Sequence, residues 1–436
     1  MHNKTIPNDW VHCSLGDAIT RIVGGGTPSR AVPAYWDGNI PWASVKDFSD
    51  DTQRLYDTEE HISSMGLTNS AANLIEVGTP IVCTRMAVGR SALAVKAIAI
   101  NQDLKAIYPQ DYLDAKYLLF LLNFIRPQLE SLSIGSTVKG INVDQLLKIP
   151  VSFPSLSEQR RITEILDALD ETIAHTSSLI AKLKYVKAGL LNDLLTRGLD
   201  ENGELRDAII HPEQFQDSPL GRIPKDWEVK AVEQILTGID AGKSPDCPDI
   251  PAQSDEWGVL KVSAVRPDGF RAEENKVITN SVYINAAYEV KDGDLLITRA
   301  NTYELVGLTC LVKNPPLRLL LSDKTLRLNV NHDFASVEFV SYILQIYFVR
   351  RQIERNATGS SAGMKNISQK IIRSILIPLP KTINEQLEIV SILNGHDERI
   401  RAEEAYRDKL KLQKKGLMDD LLTGRVRANT SLKISA

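Results

Sequence analysis

Two stretches of this chain repeat each other, and the repeat constrains what the chain can fold into. Pro7-Asn8-Asp9-Trp10 returns as Pro224-Lys225-Asp226-Trp227, and the run Lys182-Leu183-Lys184 to Asp193-Leu194-Leu195-Thr196 returns as Lys409-Leu410-Lys411 to Asp420-Leu421-Leu422-Thr423. The offset is 217 at Trp10 and 227 at Leu183, so about ten residues of insertion separate two copies of one unit. A period this long implies two similar globular modules rather than a solenoid. Two similar modules suit a ligand with two similar halves.

The 436 residues suffice for two to four domains with their own cores. No run of about 18 apolar residues occurs, and the N-terminus shows no charged-then-apolar leader, so the expected location is the cytoplasm with no membrane partner. Cys13, Cys83, Cys247 and Cys310 stand far apart without a Cys-x-x-Cys pair, which argues for reduced structural thiols and against a metal site. A net charge of −4 gives no overall field for nucleic acid, so any DNA contact must come from local basic patches.

Each copy divides into a mixed part and a long helix. The mixed part holds β-rich runs at Thr79 to Thr84 and Asp294 to Thr298, with a helix at Asp114 to Phe124 and at Ser336 to Tyr347. Ser155-Leu156-Ser157-Glu158 and Thr382-Ile383-Asn384-Glu385 both fit a capping box, and Gly198 and Gly424 sit where a helix C-terminus favours glycine. Between them a four-three repeat reads Ile162, Leu166, Leu169, Ile173, Thr176, Ile180, Leu183, Lys187, Leu190 and Leu194. In copy two it reads Ile389, Leu393, His396, Ile400, Glu403, Arg407, Leu410, Lys414, Leu417 and Leu421. Eight of ten are apolar in the first and six of ten in the second, a coiled-coil seam that shifts phase in copy two, with Tyr406 as its substitute, or meets something polar. The expected boundaries are 1–154 for a first mixed domain, 155–198 for a helix, 199–223 for a linker, 224–380 for a second mixed domain, 381–427 for a second helix and 428–436 for a tail.

Three motifs resemble catalytic ones, and the duplication tests each. Gly238 to Ser244 is one residue short of a phosphate-binding loop, is followed by Pro245, and has no Lys in its counterpart Gly24 to Ser29. Asn314-Pro315-Pro316-Leu317 has Leu317 where an amino-methyltransferase carries an aromatic to stack on a flipped base, so it reads as a turn. Asp268 with Glu289 and Lys291 fits the loose spacing of a metal-dependent nuclease, but copy one lacks the Lys, so a solvated loop is the better reading.

What both copies share is of another kind. Thr84-Arg85 matches Thr298-Arg299, and Gly135-Ser136 through Lys139 to Asn142 matches Ser360-Ser361 through Lys365 to Ser368. These are donors suited to phosphate oxygens, with Arg also able to read guanine bidentately. The competing reading is an internal ion pair for Arg85 and Arg299 and a solvated loop for Lys139 and Lys365. With Thr27, Ser29, Lys46 and Asn142 in copy one, and Lys243, Ser244 and Lys261 in copy two, they form the candidate DNA-contact set. No catalytic residue and no bound metal is expected.

With these features the chain resembles specificity subunits of type I restriction-modification systems, over nearly its whole length from Asn8 to about Arg427. The most specific carriers are Ile149-Pro150-Val151 to Glu158-Gln159, Ile377-Pro378-Leu379 to Glu385-Gln386, the two Leu-Leu-Thr helix ends, Trp10 and Trp227. The Thr27-Pro28-Ser29 and Lys243-Ser244-Pro245 turns are family-like as well. The resemblance implies an α+β chain with two tandem mixed α/β target-recognition domains, each followed by a conserved helical spacer. The two helices would pair as an antiparallel coiled coil with pseudo-twofold symmetry, placing the domains at opposite ends. Each domain would read one half of a split double-stranded DNA target, and the spacer would set the unread gap. The subunit would bind no cofactor and catalyse nothing itself. It would recruit two modification subunits that use S-adenosylmethionine and restriction subunits that use ATP and Mg. Leu166, Ile173, Ile180, Leu183, Leu190, Leu194, Leu393, His396, Ile400, Arg407, Leu410, Leu417 and Leu421 are the candidate subunit-interface residues, with Glu403 a further polar candidate.

Two other readings compete: a self-contained nuclease or methyltransferase built on Asp268, Glu289, Lys291 or Asn314, and a coiled-coil protein-interaction adaptor. The first predicts activity from the chain alone; the second predicts no salt-dependent affinity for duplex DNA.

Overall fold

The computed structural model describes residues 7–50, 52–135, 139–359 and 363–428. They form two compact units. One contains the residues up to Ser178 together with those from Glu404 onward; the other runs Leu179–Glu403. The division therefore falls inside both long helices, not at the expected linker. Residues 199–223 are not a bare connection: Leu199 bridges to Leu205, and Phe215–Ser218 pairs with Gly221–Pro224 as a hairpin of the second unit.

The first unit is built on a five-stranded sheet ordered Ile19–Gly24, Leu104–Pro109, Pro80–Cys83, Ser91–Ala94 and Arg54–Leu55. A helix at Ala115–Phe124 packs its apolar face on this sheet, with Tyr117, Leu118, Phe120, Leu121 and Leu122 buried. Asp114 caps it by accepting from the N–H groups of Lys116 and Tyr117, as its sequence signature requires. The second unit repeats the plan with a sheet ordered Leu236–Asp240, Thr325–Val330, Leu295–Thr298 and Thr309–Leu311. Its matching helix, Val337–Ile343 capped by Ser336, is shorter than expected, and a separate helix begins at Tyr347.

The long helices run Leu156–Arg197 and Ile383–Leu421. Gly198 and Gly424 end them at φ of 64° and 72°, a left-handed conformation that glycine adopts without the penalty of a Cβ. The seam of each helix is consumed within the chain. In the first unit Ile162 and Leu166 share a core with Leu421, Leu422 and Ala428. In the second, Leu194 and Leu195 share one with Ile389, Val390 and Leu393. Tyr406 does not rescue the second seam, since its side chain is exposed.

The paired Glu-Gln at each helix entry does different work from the expected capping box. Gln159 is fully buried; its amide donates to the carbonyls of Pro154 and Tyr112 at 2.8 and 3.0 Å, and its oxygen accepts from Asp114 N at 2.8 Å. Gln386 repeats the set with Pro380 and Phe334, both at 3.2 Å, and Ser336 N at 2.9 Å. Each glutamine thus locks the start of a long helix to the cap of the domain helix beside it.

The glutamates turn away from their own helix starts. Glu158 accepts from Arg427 and from Ala428 N at 3.1 Å, and Glu385 accepts from Arg206 at 2.6 Å, Leu199 N at 2.9 Å and Trp227 Nε1 at 3.0 Å. Both are nearly buried, and a buried carboxylate is held by paired donors better than by a solvated end. In the described residues, no helix is long and apolar enough to cross a membrane.

Candidate nucleic-acid interface

At one end of each sheet, three strand ends and a loop meet. In the first unit Ile141 N donates to Thr84 O at 2.9 Å and Met86 N to Lys139 O at 2.8 Å, which docks the loop carrying Lys139 onto the strand end carrying Arg85. In the second, Ile367 N donates to Arg299 O at 2.9 Å, and Asn301 pairs with Lys365. The strand end and the loop matched in the sequence are therefore brought together twice.

Strand register corrects one detail of that match. Cys83 pairs with Leu104 as Thr298 pairs with Thr325, and Thr84 N donates to Asp103 O as Arg299 N donates to Lys324 O, both at 2.8 Å. Arg299 thus occupies the position of Thr84, and Arg85 that of Ala300. A slip of one residue along an extended strand turns a side chain to the opposite face, so the two arginines are not equivalent. Arg85 lies 3.5 Å from Asp103 in an ion pair. Arg299 is exposed.

The glycine-rich turns are equivalent. Ala106 pairs with both Val23 and Ile81, as Arg327 pairs with both Asp240 and Leu296, which aligns Gly25 with Gly242, Thr27 with Ser244 and Pro28 with Pro245. Gly25 and Gly242 are needed for close approach: a Cβ would lie 1.8 Å from Ile100 O and 1.9 Å from Leu321 O. The hydroxyl two residues on ties the turn down, Thr27 to Gln102 Oε1 at 2.7 Å and Ser244 to Asp323. Both hydroxyls are used internally, so their role is to shape the turn that presents their neighbours.

The remaining candidates separate into exposed and engaged. Lys46 and Lys139 are exposed, as is Lys243 beside the turn. Ser29 is exposed while its carbonyl accepts from Trp36 Nε1 at 3.2 Å. Lys365 donates to Gly359 O at 2.9 Å, within its own loop. Asn142 caps a short helix by accepting from Gln145 N at 2.7 Å, and Lys261 is paired with Asp249 at 2.5 Å; these two are structural rather than free donors. Ser136 and Ser361 lie outside the described residues. Lys324, exposed beside Arg299, was not singled out in the sequence; only its register across from Arg299 reveals it.

The helix candidates for subunit contact are also redistributed. Leu166, Ile180, Leu183, Leu194, Leu393, Ile400, Leu410 and Leu421 are buried inside the chain, and Ile173, Leu190 and Leu417 are half-buried. Apolar packing within the chain removes the buried positions from water, while Ile173, Leu190 and Leu417 keep part of their surface open. His396 is half-buried with Nδ1 unpartnered, Glu403 is half-buried, and Arg407 is paired with Asp408 at 2.8 Å.

The three catalytic look-alikes dissolve into structure. Gly238 to Asp240 lie in a strand with no helix after it. Asn314 sits at φ 48° in a turn whose N–H donates to Asp292 at 2.6 Å, leaving Leu317 exposed. Asp268 is engaged by Arg271, and Glu289 accepts from Arg318 N at 2.7 Å. The four cysteines are free thiols, and burial pushes those of Cys83 and Cys310 up to about 12.

Comparison with known proteins gives this geometry a family. The type I restriction modification DNA specificity domain matches residues 7–185 and 224–412, and these stretches begin 217 apart and end 227 apart, the offsets of the internal repeat. The chain is 34% identical over 196 residues to the type I restriction enzyme EcoEI specificity subunit of Escherichia coli, covering 45% of this chain and only 33% of that one. It is 24% identical over 444 residues to the type I restriction enzyme MjaVIII specificity subunit of Methanocaldococcus jannaschii, covering 98% and 95% of the two. Its fold is that of the type I restriction-modification S subunit from M. genitalium, with a TM-score of 0.58, 15% identity and 97% of each chain covered. Two matches to the domain, in register with the duplication and together spanning most of the chain, make it a member of the type I restriction modification DNA specificity family.

Proposed function

We propose that this chain is the DNA sequence-specificity subunit of a type I restriction-modification complex, each unit reading one half of a bipartite duplex target. The observation that carries the reading is the recurrence in both units of one assembly: a glycine turn pinned by a hydroxyl, a strand end, and a loop with an exposed or loop-tethered Lys. Such donors fix a protein on phosphates, and an exposed arginine such as Arg85 can also meet a base edge bidentately.

In this reading the two long helices pair antiparallel as a coiled coil, and their length sets the gap between half-sites. Contacts inside each unit support the pairing. Asp170 meets Lys414 at 2.6 Å in one, and Lys187 meets Asp397 at 2.5 Å in the other. The chain itself binds no cofactor and is not catalytic. Two modification subunits bring S-adenosylmethionine, and restriction subunits bring ATP and Mg.

The test is co-expression with the neighbouring modification and restriction genes, followed by mapping of methylated adenines by single-molecule sequencing. A split motif that appears only when this chain is present is the expected result. A soluble assembly that methylates no motif, or the same motif without the chain, overturns the reading.

A further inference from the structure

Three cations stand in one row across the end of the second unit's sheet. Asp240 pairs with Arg327 on one side of the central strand and Thr298 with Thr325 on the other, so the segments that carry Lys243 and Arg299 flank the end of the sheet that holds Lys324. Past Asp240 the ladder breaks: Gly242 N donates to Ser322 O at 3.1 Å and the Ser244 hydroxyl to Asp323, which brings Lys243 beside the Ser322 and Asp323 backbone, while Arg299 N donates to Lys324 O at 2.8 Å. All three side chains are exposed.

Like charges brought close together oppose folding, and no ion pair among the described residues falls on these. The unit's ion pairs fall on other cations, Lys261 with Asp249 and Arg327 with Asp240 and Asp294. The adjacent carboxylate, Asp323, accepts from the Ser244 hydroxyl and forms no ion pair with the three cations, so it offsets one charge of the three at most.

The first unit has no such row. The positions equivalent to Lys243, Lys324 and Arg299 are Gly26, Asp103 and Thr84. Thr84 is buried with its hydroxyl on Asp103 O at 2.9 Å, and Asp103 carries Arg85 as its counter-ion. An acidic position with its own partner in one unit is a cationic one without a partner in the other.

We propose that the Lys243, Lys324 and Arg299 row is a phosphate-binding site for the DNA backbone, which gives the second unit an electrostatic anchor that the first lacks at this place. The inference rests on the DNA-reading function above. The two units then divide their labour: the second contributes more to sequence-independent affinity, and Arg85 of the first is held for contact that carries sequence.

The experiment measures affinity of the full chain for duplex DNA carrying its methylation motif, by fluorescence anisotropy from 50 to 300 mM KCl. Each phosphate contact contributes about 0.9 to the slope of log K against log salt, so K243Q/K324Q/R299Q should lower the slope by about 2.7. K324D, which gives the row the acid found in the first unit, should weaken binding more than K324Q, and R85Q should change the slope by less than about 1. All variants are exposed-site changes, and matched thermal melts verify folding. A triple variant that keeps the wild-type slope overturns the phosphate site while leaving the DNA-reading function intact. A wild-type chain whose affinity shows no salt dependence overturns both.

Discussion

Phe120 and Tyr342 stand over the same cation–carboxylate pair in their respective units, and only Tyr342 supplies the carboxylate with a second donor. The Tyr342 ring lies 5.6 Å from Lys187 Nζ, and its hydroxyl donates to Asp397 Oδ2 at 2.8 Å. The Phe120 ring lies 5.4 Å from Lys414 Nζ, which bonds Asp170 Oδ1 at 2.6 Å, while Asp170 Oδ2 is buried with no partner. Burial, the largest effect, accordingly raises the Asp170 carboxyl above the usual carboxylate range despite Lys414.

Phe120→Tyr should therefore stabilise the first unit by about 1 kcal/mol at neutral pH, the worth of a hydrogen bond to a buried acceptor. The sign with pH follows from the raised value. Asp170 favours folding most below its unfolded pKa, and that contribution is lost as pH rises through its folded value. The new hydroxyl bonds the ionised form, so its benefit should be full at pH 7.5 and shrink as pH falls through the Asp170 range. Urea unfolding of both proteins at pH 7.5 and 4.5 measures it, and an equal gain at both pH values would contradict the account.

Glu385→Ala should be costlier than Glu158→Ala. The first leaves Arg206, only 8% exposed, without its close partner and strands Trp227 Nε1 and Leu199 N, at about 3 kcal/mol or more. The second leaves Arg427 its bidentate bonds to Asp9 at 2.9 and 2.7 Å, and Trp10 Nε1 already lacks a partner, so about 1–2 kcal/mol is expected. Denaturant midpoints of the two variants decide the order.

The glycines should divide into two classes. Gly189 and Gly416 lie on exposed helix faces where an added Cβ meets nothing within 4 Å, so alanine at either should raise stability by about 1 kcal/mol. Alanine at Gly25 or Gly242 drives a Cβ into a backbone carbonyl and should cost about 2–3 kcal/mol. Thermal melts of the four single variants test this; a neutral Gly25→Ala would mean the turn relaxes freely.

Arg85→Ala should relax the methylated motif at one half-site only, by about 1–3 kcal/mol of discrimination at the base it contacts. Arg299→Ala should weaken methylation of all sites alike, because the row it belongs to meets phosphates. Motif mapping with each variant separates the two outcomes, and relaxation of a single base in the other half-site by Arg299→Ala would show that the arginines act equivalently after all.

Much of this was determined by the sequence alone. The duplicated tryptophans, the Glu-Gln helix entries, the strand runs and the Gly198 and Gly424 stops are local signals, and each sits in the structure where periodicity and capping place it. What only the tertiary structure decided is who meets whom. Glu158 and Arg427 are far apart in the chain, so a local capping box was the visible reading and a long-range ion pair the actual one. Matching letters paired Arg85 with Arg299, but hydrogen-bond register, not residue identity, fixes equivalence on strands, and by register the two stand one position apart. The seam was legible as a seam; that each half of it closes against the opposite end of the other helix, leaving no open apolar stripe there, depended on burial that no single stretch of sequence encodes.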